Sequence, residues 1–484
     1  MAEEELLGSE EHTENKDEDL THNGDIIVSN GDRCRLRTYK RRWLVLGAIC
    51  LLSCTNAMLW ISFAPVADVT ASFFKCSLDV VNYLSLVYLI IAIPVGFGAS
   101  WLIDTLGLKC AIIFSSWLNM IGSIIRCAAV VPYLNPSGTH TGIYYLFTGQ
   151  SLCAIAQPLV LFVPAKLAAV WFPDHQRATA NMIASMANPL GVLLANVISP
   201  IVVTKEEYIT HMLGIYAVPA VAACVLATAG IREKSPPTPP SASAFNTTSE
   251  PFISGIKQLV TNKAYIILML CFGAGIGIFT AISSFLEQIL CFRGYSNLFA
   301  GVCGALLIFF GFIGALVCGL YVDRTKKFKE VVKICFALTA LTSIAFALVI
   351  NFRDQTILVA CACSLLGLFG FAISPIAMEL AVECSYPVGE GSSTGLAFIS
   401  GQIQGIIYMI LFQKLTRPFA PSEPSPCGIH QTEIYDWSIS MLVMAALCTF
   451  GSCIFIIFFH TDYKRLRAER NLNILKEELD GSAT

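Results

Sequence analysis

The side chains most able to bind a ligand or take part in chemistry lie inside long apolar runs, where a polar or aromatic group calls for a structural or functional explanation. Trp60 stands midway along the first run, where an aromatic face attracts a quaternary ammonium by a cation–π contact worth up to about 2 kcal/mol when desolvated. Gln157 precedes a proline in a later run, and Gln402 and Gln404 share another. Because a buried amide in lipid must bond a neighbouring helix or a solute, these residues predict either a binding site or interhelical hydrogen bonds.

Acidic residues also interrupt the apolar runs of the second half. A charge at membrane depth is costly, so Glu287, Glu379 and Glu383 are functional candidates. Glu379 and Glu383 are spaced i and i+4 and share one helix face. We expect Glu383, near the cytoplasmic end, to pair with Arg324 or Lys333 in a gate. Glu287, near the other end of its helix, predicts either an acid that draws cations into an outer vestibule or a merely solvated side chain.

The sequence lacks the residues that a haem site, an enzyme site, a nucleotide-binding loop or a metal site would need. None of the seven histidines falls in the middle of an apolar run, so the deep axial ligand of a haem site and the base of most enzyme sites are missing. No Gly-x-x-x-x-Gly-Lys phosphate loop occurs. The 19 cysteines lack paired metal spacing and do not suggest a disulfide framework. The sequence predicts neither an enzyme nor a cofactor or metal site.

The elements that must position these residues follow from composition. Hydrophobic residues form 55% of the 484 and charged residues only 13%, against about 25% charged in average soluble proteins. Mean hydropathy is +0.67. A soluble domain, a nucleic-acid binder and a disordered chain are excluded. Long continuous runs favour helices over a β-barrel, so we expect an all-α membrane protein.

Twelve apolar runs, each bounded by charge, Pro or Gly, predict twelve transmembrane helices in two pseudo-symmetric six-helix halves. The helices are expected near residues 43–64, 79–103, 110–131, 142–170, 178–203, 209–231, 264–290, 297–322, 331–350, 357–384, 392–413 and 435–460. The expected domains are a disordered acidic cytoplasmic tail at 1–38, an N-terminal half at 39–231, a stiff Pro-rich cytoplasmic linker at 232–263, a C-terminal half at 264–460 and a cytoplasmic tail at 461–484.

Basic residues orient the chain. With the amino terminus in the cytoplasm, 24 of the 31 Lys and Arg residues face inward, which predicts that both termini are cytoplasmic. The acidic Glu3–Leu7 segment resembles a loose dileucine sorting signal. We expect a multi-pass protein of the plasma membrane, with an endosomal or lysosomal membrane as the alternative.

One motif occurs twice. Residues Gly98–Lys109 lie between helices 2 and 3, and residues Gly314–Lys327 lie between helices 8 and 9. Each copy places small residues on a helix end, then an Asp, then a basic loop. Two copies at matching places indicate a parallel repeat of two halves, the arrangement expected for the major facilitator fold. The residues expected at its inner gate are Asp104, Lys109, Asp323, Arg324 and Glu383.

Further motifs carry a narrower resemblance. They are Lys40–Leu46, Asn56-Ala57 with Trp60, Trp101–Thr105 with Gly107-Leu108, Ala169–Phe172, Cys318–Leu320, and Glu379–Glu383 followed by Tyr386-Pro387. Together, over about residues 38–465, they resemble the feline leukaemia virus subgroup C receptor-related transporters, solute carrier family 49, in a third branch. The resemblance implies facilitated movement of small organic solutes. Choline and ethanolamine, haem, and a vitamin B6 form are associated with different members.

The resemblance also implies a site. In the choline-handling members a central pocket combines a Trp, a Tyr and two Gln, and the matching residues here are Trp60, Gln157 and Gln402. The Tyr position aligns with Thr280, and an adjacent Asn of the family is replaced by Glu287, so choline itself is a poor match. The expected substrate-binding set is Trp60, Gln157, Thr280, Gln402 and Gln404.

These observations predict an alternating-access transporter of a small organic solute, an amine or a vitamin-like compound related to choline or ethanolamine. Helices 1 and 4 carry no embedded Asp or Glu within their predicted bounds, which favours facilitative transport over proton coupling. The alternatives are a haem or porphyrin transporter and a membrane receptor with little flux. The expected partners are the solute and the lipid bilayer, with no nucleic acid, and we expect a monomer.

Overall fold

A computed structural model describes residues 24–27, 33–36, 38–130, 139–233, 235–238, 252–352, 354–419, 434–465 and 467. Across these ranges, twelve helical segments are long and apolar enough to cross a membrane. The prediction of an all-α membrane protein with twelve spans is confirmed.

Seven helices build the N-terminal half. They are α1 (Arg41–Ile61), α2 (Ala67–Phe74), α3 (Leu78–Thr105), α4 (Leu108–Ala128), α5 (Thr139–Trp171), α6 (Asp174–Val202) and α7 (Ile209–Gly230). Short 3₁₀ turns, Ala64–Val66 and Glu206–Tyr208, precede α2 and α7. The helix α8 (Phe252–Thr261) then leads into the C-terminal half.

The C-terminal half follows the same plan and, like the N-terminal half, contains one broken span. Its helices are α9 (Lys263–Cys291), α10 (Asn297–Thr325), α11 (Phe328–Val349), α12 (Thr356–Gly370), α13 (Ile373–Ser385), α14 (Glu390–Leu415) and α15 (Ser438–Phe458). The strands β3 (Arg417–Phe419) and β4 (Ile434–Asp436) pair antiparallel before α15.

Regular structure occurs both in the N-terminal tail, which was expected to be disordered, and in the linker. In the N-terminal tail, β1 (Gly24–Ile27) pairs antiparallel with β2 (Arg33–Leu36), whereas residues 1–23 lie outside the described part. In the linker, α8 covers the last third, because Ile253, Ile256 and Leu259 repeat at helical spacing. The Pro-rich stretch before it has no helix among its described residues.

The first span is longer than expected and is broken. The sequence predicts a helix that ends near residue 64, but α1, the 3₁₀ turn and α2 together reach Phe74. The break at Ser62-Phe63 begins two residues after Trp60. Broken helices in transporters place free backbone groups and side chains at the membrane midplane, so this break determines where Trp60 lies.

The two halves meet differently at the two ends of the bundle. At the end that holds Asp68, which we name the Asp68 end, one buried hydrophobic cluster combines side chains of both halves. At the opposite end, named the Glu383 end, each half has its own cluster, and Ile399 of the C-terminal half joins the N-terminal one. The halves are therefore more firmly joined at the Asp68 end.

Both copies of the repeated motif end in a short turn that contains one residue with positive φ. The turn from α3 to α4 contains Gly107 with φ +86°, and the turn from α10 to α11 contains Lys326 with φ 54°. Gly314 has a further reason to be glycine, since a Cβ there would lie 1.9 Å from the carbonyl oxygen of Leu368. It lets α10 lie directly against α12.

Candidate functional site

A central cavity of about 210 Å³ lies between the two halves. Trp60, Gln157 and Asn188 line it from the N-terminal half, and Thr280 and Gln402 line it from the C-terminal half. Four of the five residues expected to bind substrate thus share one cavity, although they are far apart in the chain. Sites of this kind, between the halves and next to broken helices, are typical of secondary transporters.

Hydrogen bonds hold the break that positions Trp60. Arg126 on α4 donates from Nη1 to the carbonyl oxygen of Leu59 at 3.0 Å and from Nη2 to Ser62 Oγ at 2.5 Å. Gln150 on α5 donates from Nε2 to the carbonyl oxygens of Leu59 and Trp60 at 3.4 and 3.3 Å. A helix end in lipid leaves carbonyl groups that need such partners. Arg126 and Gln150 therefore stabilise the backbone that carries Trp60.

Three buried polar atoms on the cavity wall have no hydrogen-bond partner in the described part of the chain. They are Trp60 Nε1, Gln157 Oε1 and Asn188 Nδ2. Buried polar groups are normally paired, because an unpaired one costs about 1–3 kcal/mol. Two donors and one acceptor on residues that line one cavity match a solute that accepts and donates hydrogen bonds.

The C-terminal half contributes aromatic surface that the sequence did not single out. Phe279 on α9 and Phe371, in the break between α12 and α13, line the cavity. Their rings meet edge to face at 4.6 Å between centroids. Nothing in their local sequence separates them from the other 29 phenylalanines. Asn188, before Pro189 in α6, did carry a signal, since an amide beside a helical proline is unusual in an apolar run.

Gln404 was expected in the site, and the structure places it elsewhere. It is not among the cavity-lining residues. Its Nε2 donates to the carbonyl oxygen of Leu270 at 3.0 Å and to Ser400 Oγ at 3.1 Å, and its Oε1 accepts from Tyr408 at 3.1 Å. Two residues along a helix correspond to about 200° of rotation, so Gln404 faces α9 while Gln402 faces the cavity.

The cavity wall carries no acidic or basic side chain in the described residues. A bound cation would therefore be held by aromatic faces and by amide or hydroxyl oxygens rather than by a counter-ion. The wall also contains no histidine, in line with the distribution of histidines along the chain.

Glu287 is neither solvated nor in an open vestibule. It is 4% exposed, lies between the halves at the Asp68 end, and its Oε2 has no described partner. The sequence interpretation also missed Asp68, which is 5% exposed on α2. Because the first span continues to Phe74, the expectation that it holds no embedded acid is wrong.

The residues expected to form the gate lie at the Glu383 end, but their described contacts are with different parts of the chain. Lys109 Nζ donates to the carbonyl oxygen of Arg232 at 2.6 Å, within its own half. Among the ion pairs between described residues, none joins Glu383 to Arg324 or Lys333, and the expected pairing stays a prediction. Lys333 donates to the carbonyl oxygen of Ile456 at 2.7 Å.

Each gate aspartate lies in the last turn of its helix. Asp104 is in α3 and Asp323 is in α10, but both side chains lie outside the described part. Glu383 is buried and Arg324 is exposed. Contacts that cross between the halves at this end include the hydrogen bond of Asn181 with Glu379 and the stacking of Phe162 on Phe398, 5.9 Å between ring centroids.

Comparison with solved structures agrees with this architecture. A D-xylose–proton symporter superposes with a TM-score of 0.63 at 13% identity, covering 88% of this chain and 99% of that one. A fucose–proton symporter of Escherichia coli gives a TM-score of 0.58 at 16% identity, covering 87% and 98%. At these identities the likeness concerns the fold.

Sequence comparison identifies relatives at higher identity. The family model of the Major Facilitator Superfamily matches residues 49–409. A Xenopus tropicalis protein named solute carrier family 49 member A3 is 86% identical over 478 residues, 99% of each chain, and a Danio rerio protein of that name is 51% identical over 90% of each. The choline/ethanolamine transporter FLVCR1 of Felis catus is 31% identical over 79% of this chain and 69% of that one. The chain therefore belongs to the major facilitator superfamily and, within it, to the membrane transporters of solute carrier family 49, and it is not an enzyme.

Proposed function

We propose that this transporter carries a small amino alcohol or a related small amine by alternating access, with the central cavity as its binding site. The observation that carries the proposal is the set of three unpaired polar atoms, Trp60 Nε1, Gln157 Oε1 and Asn188 Nδ2, on a cavity wall without charged side chains. A hydroxyl group satisfies the donors, and an ammonium group donates to Gln157 and lies against the indole face.

Size and relatives support a small solute. The cavity of about 210 Å³ is below the range of about 300–1,000 Å³ typical of drug-sized ligands. Relatives at about 30% identity are named choline/ethanolamine transporters. Haem finds less support, because it is much larger than an amino alcohol and the wall offers no histidine. Since both walls of the cavity come from one chain, we propose that the monomer is the working unit.

We also propose that the Glu383 end and both termini face the cytoplasm. The excess of Lys and Arg on that side supports this orientation. Cys291, at the Asp68 end, is disulfide-bonded. Disulfides persist in oxidising compartments, which favours an extracellular or lumenal Asp68 end. The plasma membrane is our proposed location.

Uptake of radiolabelled ethanolamine and choline into proteoliposomes tests the proposal. We expect saturable uptake of ethanolamine by the wild type, and loss of most affinity in Trp60→Ala. Trp101→Ala is the matched control, because Trp101 is 51% exposed on the outer surface of the bundle. Normal apparent affinity in Trp60→Ala would contradict the assignment of the cavity. Binding without flux would support the receptor alternative.

A further inference from the structure

A second group of buried polar atoms lies away from the cavity, between the halves at the Asp68 end. Asp68 is on α2 of the N-terminal half, and Glu287 is on α9 of the C-terminal half. Asn297, at the start of α10, donates from Nδ2 to Asp68 Oδ1 at 2.9 Å. The Sγ atom of Cys291 lies 3.1 Å from Asn297 Oδ1 and 3.3 Å from Glu287 Oε1. These contacts place the two carboxyl groups in one cluster.

The cluster contains more oxygen atoms than partners. Asp68 Oδ2, Glu287 Oε2 and Ser284 Oγ are buried without a hydrogen-bond partner among the residues that the structure describes. Ser284 is 2% exposed and lies three residues before Glu287, on the same face of α9. The two carboxyl oxygens need a hydrogen-bond donor, and none lies within hydrogen-bond distance of them in the described ranges.

Among the described residues at this end, no basic side chain bonds either acid. The other described charged groups here are exposed or bonded elsewhere: Lys75, Lys205, Glu207, His211, Asp354, Lys414 and Arg417 are exposed, Asp79 accepts from Gln413, Glu206 accepts from Ser72, Asp436 accepts from the Ser438 amide, Arg126 donates to Leu59 and Ser62, and Arg293 donates to Asn351 and Ser438. When both are ionised, the carboxylates of Asp68 and Glu287 are like charges in one cluster. Two like charges in a low-dielectric interface repel strongly, and each costs several kcal/mol to bury.

We propose that Asp68 and Glu287 form a proton-binding site that is occupied while the halves are closed at the Asp68 end. A proton on one carboxyl group removes the repulsion between the two, as in other pairs of neighbouring carboxyl groups that hold one proton. When the halves separate there, water reaches the pair. The O–H bond breaks, the proton passes to water, and the carboxylate that remains is hydrated.

The site makes opening of this end depend on pH. Hydrogen bonds from Asn297 to Asp68 and from Gln288 to Asn82, the latter at 2.8 Å, join the halves here. If opening releases one proton, the ratio of open to closed molecules rises by up to about tenfold for each pH unit. Alkaline solution at this end favours the open state, and acid favours the closed state. The site is separate from the solute cavity, so the inference stands even if the proposed solute is wrong.

Distance measurements on full-length protein in lipid nanodiscs test the proposal. Spin labels are introduced as noncanonical amino acids at the exposed positions Lys205 and Phe352, one in each half. From about pH 5 to about pH 9 we expect the wild type to shift from short to long distances. The double variant Asp68→Asn, Glu287→Gln should stay closed throughout. Glu207→Gln, an exposed acid at the same end, is the matched control and should behave as the wild type.

Three results would overturn the proposal: distances in the wild type that do not respond to pH, an unchanged pH response in the double variant, or a response at fixed pH to replacing sodium by a large organic cation, which would make this a sodium site. Infrared spectroscopy provides an independent measurement if the double variant misfolds. The wild type should show the carbonyl band of a protonated carboxyl group, and Glu287→Gln alone should remove or shift it. The absence of that band in the closed wild type would also overturn the proposal.

Discussion

Asn181 on α6 donates a hydrogen bond from Nδ2 to Glu379 Oε1 on α13, 3.0 Å away, and thereby joins the two halves at the Glu383 end. A hydrogen bond to a charged group contributes about 1.5–3 kcal/mol. Because this bond must break when the halves part at this end, it stabilises the closed arrangement there.

Removing the Asn181–Glu379 bond should therefore favour opening at the Glu383 end. In Asn181→Ala we expect the open population to rise by roughly tenfold or more, the equivalent of the lost bond. Distances between spin labels at Leu106 and Tyr321, which are exposed at this end, measure the population of open molecules. Glu379→Gln keeps an acceptor oxygen and should change the population much less than Glu379→Ala. Equal effects of the two would show that the bond is not responsible.

The two amides of α14 provide a matched pair. Gln402→Ala should weaken solute binding by about 1–2 kcal/mol, or 5–30-fold, because Gln402 lines the cavity. Gln404→Ala should leave affinity unchanged and lower the melting temperature, because Gln404 bonds Leu270 and Tyr408. Isothermal titration and thermal unfolding of both variants separate these roles. A loss of affinity in Gln404→Ala alone would reverse the assignment.

Thr280 controls the aromatic enclosure of the site. It lines the cavity where a choline-handling relative would offer Tyr, so we expect weak choline binding by the wild type. Thr280→Tyr should strengthen it by about 5–30-fold, the effect of one cation–π contact of roughly 1–2 kcal/mol. Thr280→Val, which removes only the hydroxyl, is the control for loss of a hydrogen bond. Tight choline binding by the wild type would show that Phe279 or Phe371 already provides the second aromatic face around the ammonium group.

The duplicated aspartates remain gate candidates by their position in the repeat. Asp104→Ala or Asp323→Ala should slow transport while surface expression and solute binding stay near wild type, because the change affects exchange between states rather than the cavity. Asp462→Ala, an exposed acid after α15, is the control. Normal uptake rates in both aspartate variants would remove them from the gate.

Arg126 should matter for stability as well as for binding. Arg126→Met removes two hydrogen bonds to the break in the first span, each worth about 1.5–3 kcal/mol as a bond to a charged group. We expect a lower melting temperature and weaker solute binding, since Trp60 loses its backbone support. Arg126→Lys should recover only part of the melting temperature and of the solute affinity, because an ammonium does not reproduce the planar fork of the guanidinium. Lys205→Met, at an exposed basic residue, should change neither quantity.

Sequence alone determined the number of spans, the division into two halves and the repeated turn. These properties depend on local composition, because a membrane requires about 20 apolar residues for each helix and a turn requires a left-handed residue such as Gly107. The motifs also identified the family, and Trp60, Gln157, Thr280 and Gln402 were found before any geometry was known.

Tertiary structure decided which polar side chains face one another. Gln402 and Gln404 are equally polar neighbours on one helix, and only the arrangement of α9 against α14 separates a cavity residue from a structural one. Asp68 looked like a loop residue because residues 65–74 are less apolar than the run before them. It is buried because the 3₁₀ turn before α2 lies against α9 and α10 of the other half and Asn297 of α10 bonds its carboxyl group, and burial by a distant part of the chain leaves no local pattern in the sequence.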